Sequence, residues 1–304
     1  MSIVSVSHIS KSYDSVAALK DVSLNVDEGE IYGLIGPDGA GKTTLFRILT
    51  TLILADSGEA KVAGYDVVKD YKKIRTLIGY MPGRFSLYQD LSIEENLKFF
   101  ATVFQTTIAE NYSLIEDIYK QIEPFKNRRA GKLSGGMKQK LALCCALIHK
   151  PSVLFLDEPT TGVDPVSRKE FWGMLGRLKE QGLSILVSTP YMDEASLCDR
   201  IALIKDGVFL KVDTPANIVS DYKETLWSVK SAQMHRLLHD LRICPMTLSA
   251  FSFGDSFHVT AKPGSSMEEM AQFLSGCGHT QIFVEPIQAS IEDCFMSLTK
   301  HVSV

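Results

Sequence analysis

Long hydrophobic runs are missing from this sequence. The longest, Leu141 to Ile148, falls far short of the roughly 20 residues that a membrane-spanning helix needs, so any work at a membrane is expected to go through a partner. The start, Met1-Ser2-Ile3-Val4, has no basic segment followed by an apolar core, and a secretory signal is not expected. Basic blocks are missing too. Lys and Arg number 32 against 36 Asp and Glu, a net charge of −4, which makes nucleic acid a disfavoured partner. The six cysteines are scattered without a C-x-x-C pair. Cys144 and Cys145 are adjacent within an apolar helical pattern and cannot easily bridge each other, so reduced thiols in a cytosolic protein are expected. Among the seven histidines (8, 149, 235, 239, 258, 279 and 301), only His235 and His239 share a helical face, and no third ligand accompanies them. There is no internal repeat and no low-complexity tract. What remains is ordinary for a folded chain: 45% hydrophobic and 22% charged over 304 residues, enough for one large domain or two smaller ones.

What is present is organised around Gly36-Pro37-Asp38-Gly39-Ala40-Gly41-Lys42-Thr43-Thr44, which fits G-x-x-x-x-G-K-[ST], a phosphate-binding loop. Ile31 to Ile35 leads in as a buried strand and Thr43 to Thr50 leads out as a helix, the context this motif requires. Glycines at 36, 39 and 41 let successive N–H groups converge on one anion. The helix beginning near Lys42 adds the positive end of its dipole. The Lys42 ammonium can reach β- and γ-phosphates, and the Thr43 hydroxyl can hold Mg²⁺.

Taken in order, residues 1–30 read as short strands, Ile3–Val6 and Val22–Val26, separated by Lys11-Ser12-Tyr13-Asp14 and closed by the turn Asp27-Glu28-Gly29. After the loop and its helix come a short strand, Glu59–Val62, and a buried strand, Leu77–Met81, stopped by Pro82-Gly83. From about 90 to 150 the period becomes helical, with helices opening at Ser92, from Asn111 to Ile122, and starting after Leu133-Ser134-Gly135-Gly136 and running to His149. Strand Val153–Leu156, helix Val166–Glu180, strand Leu183–Ser188, helix Met192–Cys198 and strand Ile201–Lys205 complete an alternating series, hence a mostly parallel sheet covered by helices. The pattern loosens over 206–224, and a domain boundary is placed near 220. The remainder, 221–304, reads β-α-β-β-α-β with an added helix, a small α+β domain.

Two further motifs carry chemistry. Val153-Leu154-Phe155-Leu156-Asp157-Glu158 is an apolar strand ending in paired carboxylates, at the strand end where α/β sheets bind ligands. Asp157 would hold Mg²⁺ through water, and Glu158 would polarise the attacking water. Leu133-Ser134-Gly135-Gly136-Met137 opens a helix with a good N-cap and exposed N–H groups, a second anion site. One nucleotide does not need two such sites in one chain, which suggests that the second serves a nucleotide held by another subunit.

The order of these motifs, followed by Pro159-Thr160 and Gly162-Val163-Asp164-Pro165, resembles the ATP-binding subunit of ABC transporters over roughly residues 2–220. The resemblance implies a P-loop NTPase fold with a mostly parallel sheet, an antiparallel β edge and a helical subdomain over about 85–150. It implies ATP and Mg²⁺ as ligands, membrane-spanning permease subunits as partners, and a location on the cytoplasmic face of the membrane through them. Two such subunits pair head to tail, each ATP lying between the phosphate loop of one and the Leu133–Met137 signature of the other. Tyr13 stands where the family stacks an aromatic on adenine, and Asp164 matches its cross-dimer aspartate. The tail and the stretch Phe85–Leu97, which in the family touches the membrane subunit, resemble drug-exporter-type members with a short C-terminal domain.

Three positions depart from the family. Gly83 stands in place of the glutamine that meets Mg²⁺ and water, and Pro190 in place of the histidine that holds the γ-phosphate; proline offers neither a side-chain donor nor an N–H. Asp38 stands where asparagine is usual, a carboxylate beside phosphates. The expected protein binds ATP but hydrolyses it slowly, and its intact signature completes the site of a second, complete cassette. The alternatives are that Gly83 and Pro190 are tolerated in a working homodimer, or that the chain is a regulatory nucleotide-binding module without a transport role. Soluble ABC proteins of ribosome or DNA-repair type carry paired cassettes or a long coiled coil, and neither is present here.

Overall fold

The computed structural model describes residues 2–300; Met1 and His301 lie outside them. The chain divides into two compact units, Met1–Pro215 and Ala216–Val304.

In the first unit, β1 (Ser2–Tyr13) and β2 (Val16–Asp27) form a long antiparallel hairpin. Lys11 to Tyr13 therefore belongs to a strand, not to a connection. The short alternating runs understate these strands because several register shifts interrupt the pleat. β3 (Ile31–Ile35) precedes α1 (Lys42–Leu49), and β4 (Ser57–Val62) with β5 (Tyr65–Asp66) extends the hairpin into a sheet of order β2-β1-β4-β5. α2 (Tyr71–Leu77), too short to announce itself by periodicity, leads into β6 (Ile78–Met81).

The helical insert follows as α3 (Ile93–Val103), α4 (Tyr112–Tyr119) and α5 (Gly135–Leu147). Ser92 and Glu95 close a capping box on α3, and buried Asn96 ties the preceding loop down through bonds to both backbone groups of Tyr88. Then come β7 (Val153–Asp157), α6 (Pro165–Glu180), β8 (Ser184–Thr189), β9 (Arg200–Lys205) and β10 (Val208–Asp213). Met192 to Leu197 is wound as a 3₁₀ turn and not as the expected α-helix; its Glu194 side chain is drawn inward by two threonines. Asp206-Gly207, read above as loosening, is a two-residue hairpin turn with both φ positive that pairs β10 back onto β9.

The second sheet runs β10-β9-β3-β8-β7-β6, parallel except for β10. β3, β7 and β8 are buried along their whole length, which is why they read as continuous apolar runs without alternation. Register aligns the carboxyl ends: Ile35 lies opposite Thr189, Ser188 opposite Asp157, and Leu156 opposite Met81. Phe46 of α1 meets Phe155 of β7 edge to face at 5.7 Å, fastening the first helix to the sheet.

The boundary falls at the start of α7 (Pro215–Ser220), which the sequence pattern did not announce and which, apart from Pro215, belongs to the second unit. β11 (Thr225–Lys230), α8 (Met234–Ile243), β12 (Thr247–Phe253), β13 (Ser256–Ala261), α9 (Met267–Gly276), β14 (Phe283–Pro286) and α10 (Ile291–Lys300) follow. The antiparallel order is β12-β13-β11-β14. Trp227, Val229 and Val259 of the sheet pack with Leu237 and Leu241 of α8 and Met270 and Leu274 of α9. His279 is buried with both ring nitrogens engaged, by Ser231 at 2.9 Å and Asp240 at 2.8 Å, while His258 pairs with Asp293 at 2.8 Å. Among the described residues no group of three His, Cys, Asp or Glu could hold a metal, and no helix is long and apolar enough to cross a membrane.

Candidate functional site

The carboxyl ends of β3, β8, β7 and β6 gather one site. The loop after β3 is moulded by close backbone approaches. A Cβ on Gly36 would lie 2.1 Å from the Ile204 carbonyl oxygen. One on Gly41, whose φ is +105°, would lie 2.4 Å from that of Ala18. The second contact sets the end of the β1–β2 hairpin beside the loop. That end carries Tyr13, paired with Val16, 42% exposed and with the Lys11 ammonium 5.8 Å from its ring centre.

Lys42 is buried, and its Nζ donates to the carbonyl oxygens of Gly36 at 2.7 Å and Pro37 at 3.0 Å. Its third neighbour is Glu158 Oε1, at 3.2 Å. The ammonium, on the helix after β3, and the carboxylate of Glu158, just past β7, thus face the same point from behind strands that lie two apart in the sheet. Asp38 is exposed on the loop. Thr43 Oγ1 donates to Asp157 Oδ2 at 2.8 Å, and Ser188 Oγ to Asp157 Oδ1 at 2.6 Å. One hydroxyl and one carboxylate side by side are hard oxygen donors. They fit Mg²⁺, which is typically held by one or two protein oxygens with phosphate and water completing the shell. Glu158 adopts a φ of +50°, and its N–H donates to the Ser188 carbonyl at 3.0 Å, so the turn after β7 is anchored to β8.

Gly83 and Pro190 are brought to this same end. A Cβ on Gly83 would stand 3.1 Å from the Asp157 carbonyl oxygen and 3.8 Å from Glu158 Cβ. Pro190 follows Thr189, the residue opposite Ile35. The ring of its neighbour Tyr191 lies 4.2 Å from the Arg168 guanidinium, held towards α6.

The signature residues gather elsewhere, on α5 and α6. Leu133 is buried; Ser134 caps α5, its Oγ accepting from Met137 N at 3.4 Å. Asp164 caps α6, accepting from Ser167 N at 3.0 Å, and the N–H and hydroxyl of Ser167 hold its carboxyl below the usual range. Gly135 faces the Gly162 carbonyl, and Gly136 lies against Ser167.

Sequence reasoning missed Glu194. Buried at 2% exposure, it accepts from Thr160 Oγ1 at 2.8 Å, Thr189 Oγ1 at 2.5 Å and Arg168 Nε at 3.1 Å. It joins the segment after β7 and the end of β8 to α6. An Asp-Glu pair in a polar stretch gave no signal, because burial here is created by three distant segments. Also missed was a cleft of about 500 Å³ between the sheet end and the helical insert, lined among others by Tyr80, Gly83, Phe85, Phe104, His149 and Glu158. His149 stacks flat on Phe104 at 3.7 Å, and its Nε2–H donates to the Ile78 carbonyl at 2.9 Å.

Comparison with known proteins identifies the family. The family model for the ABC transporter matches residues 19–161. The daunorubicin resistance ATP-binding protein DrrA2 of Streptomyces coeruleorubidus is 34% identical over 303 residues, covering 96% of this chain and 93% of the relative. The probable multidrug ABC transporter ATP-binding protein YbhF of Escherichia coli is 35% identical over 285 residues; the match takes in 92% of this chain but 49% of YbhF, so the chain spans about half the length of that relative. Among solved structures, cbiO1 of Clostridium perfringens, part of an ABC transporter complex, superposes with a TM-score of 0.65 at 26% identity, over 72% of this chain and 91% of its own. A dimeric bacterial ABC transporter cassette gives 0.63 at 27%, over 69% and 98%. The chain belongs to the family of ABC transporter ATP-binding proteins.

Proposed function

We propose that this chain is the ATP-binding subunit of an ABC exporter, that it binds MgATP in its own phosphate loop and hydrolyses it slowly, and that its signature turn completes the site of a second, intact cassette. One observation carries the asymmetry. Lys42, Thr43, Asp157 and Glu158 stand together at the strand ends, while the two positions flanking them, Gly83 and Pro190, offer no side-chain donor. The retained groups bind phosphate and metal. The missing ones would position water and proton, groups whose loss typically lowers rates by about 10²–10⁴.

Thr43 and Asp157 would hold Mg²⁺, which when bound neutralises charge on the β- and γ-phosphates. Lys42 turns from the loop carbonyls and Glu158 to the phosphates, and Glu158, so released, orients water. Tyr13 receives the base. Leu133 to Met137, with Asp164, face the nucleotide of the second cassette, and ATP closes the pair while hydrolysis and release reopen it.

The aromatic cleft beside Phe85, Phe100 and Phe104 supports docking of a permease segment, and with it a position at the cytoplasmic face of the membrane. Relatives named for resistance to doxorubicin, daunorubicin and linearmycin support a drug-like cargo. The membrane subunits, not this chain, would contact it.

The test is steady-state ATPase of the purified chain, with ATP-analogue binding on the same sample. Binding without turnover is expected. Turnover that disappears in Lys42→Ala would overturn the asymmetric reading and leave a working homodimer. Absence of binding would leave the regulatory and transport readings equally without support.

A further inference from the structure

Helices α5 and α6 start side by side, and a glycine makes this possible. A Cβ on Gly136 would lie 2.9 Å from Ser167 Oγ, closer than a methyl group sits, and 3.2 Å from Ser167 Cβ, a tight contact, so Ser167 would have to shift. Gly135, one residue earlier, meets only the Gly162 carbonyl oxygen, at 3.7 Å, an ordinary contact. Ser167 is in turn fastened to Asp164, its N–H donating to Oδ1 at 3.0 Å. One turn further along both helices, Lys140 of α5 pairs with Glu170 of α6 at 2.9 Å. The signature turn therefore rests on Ser167, Ser167 holds Asp164, and a half-exposed ion pair spans the same two helices one turn on.

We infer that Ser167 is a positioning residue that makes the signature turn and the Asp164 loop one rigid piece, so that whatever draws the turn inward carries Asp164 with it. Its functional meaning rests on the reading proposed above, in which both elements serve the nucleotide of the second cassette. The contact itself does not. A close-packed contact without slack transmits a displacement and does not absorb it. Gly136 has a second reason to lack a side chain, close backbone approach to a phosphate in trans. The two reasons differ on one point. If Gly136 is small because of Ser167, shrinking Ser167 must relieve any side chain placed at 136; if it is small only because of the phosphate, Ser167 is irrelevant.

Hydrogen exchange on the full chain decides between them without needing activity. In Gly136→Ala the new methyl overpacks Ser167, and amide exchange in the first turns of both α5 and α6 is expected to quicken roughly tenfold, in the usual range for overpacking. Adding Ser167→Gly removes both close atoms and should return exchange at Met137 and Lys138 towards that of the natural protein. Gly135→Ala adds a methyl to the same helix without the clash and should leave α6 exchange unchanged. A second readout is the Asp164 carboxyl, which Ser167 holds below the usual range; its ¹³C titration should move up in Gly136→Ala. Should that variant fail to fold, Ser167→Thr approaches the same contact from the other side and is expected to loosen both helix starts together. Quickening confined to α5, or no rescue by Ser167→Gly, would overturn the inference. Failure of the proposed function would appear separately, as lost ATP-analogue binding in the natural chain.

Discussion

Restoring the two missing groups should restore turnover. Gly83→Gln and Pro190→His return an amide and an imidazole to the positions that flank Asp157 and Glu158. The fit is tight: a Cβ at 83 stands 3.1 Å from the Asp157 carbonyl oxygen, which must give by a few tenths of an ångström, and 3.8 Å from Glu158 Cβ, so the glutamine chain starts beside the carboxylate it would assist. Residue 190 is equally well placed. Thr189 is fixed on one side by Glu194 at 2.5 Å, and the Tyr191 N–H donates to Thr189 Oγ1 at 3.1 Å on the other. A histidine there would leave the sheet opposite the start of the phosphate loop. The two groups together should raise the chemical step by about 10²–10⁴, which is about 3–5 kcal/mol of barrier. Phosphate release with protein in excess, at concentrations where two copies can pair, measures this, with Lys42→Ala in each background as the blank. Refutation would be a natural chain that already turns over quickly and gains nothing, or a restored variant that binds MgATP as before and gains nothing.

Asp38→Asn removes a negative charge beside the phosphates. Two charges about 4 Å apart in water interact by about 1 kcal/mol, so nucleotide affinity should rise about fivefold by calorimetry, more at low salt. Glu194→Ala leaves Arg168, Thr160 and Thr189 without their shared acceptor. Breaking a buried pair costs about 3–5 kcal/mol; because Arg168 is partly solvated, about 3 kcal/mol is expected from urea unfolding of the first unit, and an unchanged midpoint would show that water replaces the carboxylate. Burial depresses the affinity of His149 for a proton below its ordinary value of 6.5, the Ile78 hydrogen bond acting weakly the other way. The unfolded chain takes up that proton first as pH falls through 6.5, so this contribution to stability is present above 6.5 and lost towards the lower, folded value. His149→Phe keeps the stacking on Phe104 and should flatten stability between pH 7 and 5.

The sequence by itself determined the motifs whose chemistry is local. The loop from Gly36 to Thr44, the carboxylates closing β7 and the capped start of α5 each need neighbours in the chain only, so residue type and spacing declare them. Buried strands such as Ile31–Ile35 and Val153–Asp157 were equally legible, since covering both faces of a parallel strand demands an unbroken apolar run. α2, β10 and α7 were not, because they are short and lie where partial exposure blurs the period. Tertiary structure alone decided the relations across the fold. Strand order brings Lys42 to Glu158, and register sets Thr189 opposite Ile35. Burial turns Glu194 from one of two adjacent surface-like acids into the tie between three segments. Only packing shows that Gly136 lacks a side chain where Ser167 stands. These contacts join residues distant in the chain, and no local pattern encodes which distant residue will fill the space beside a given one.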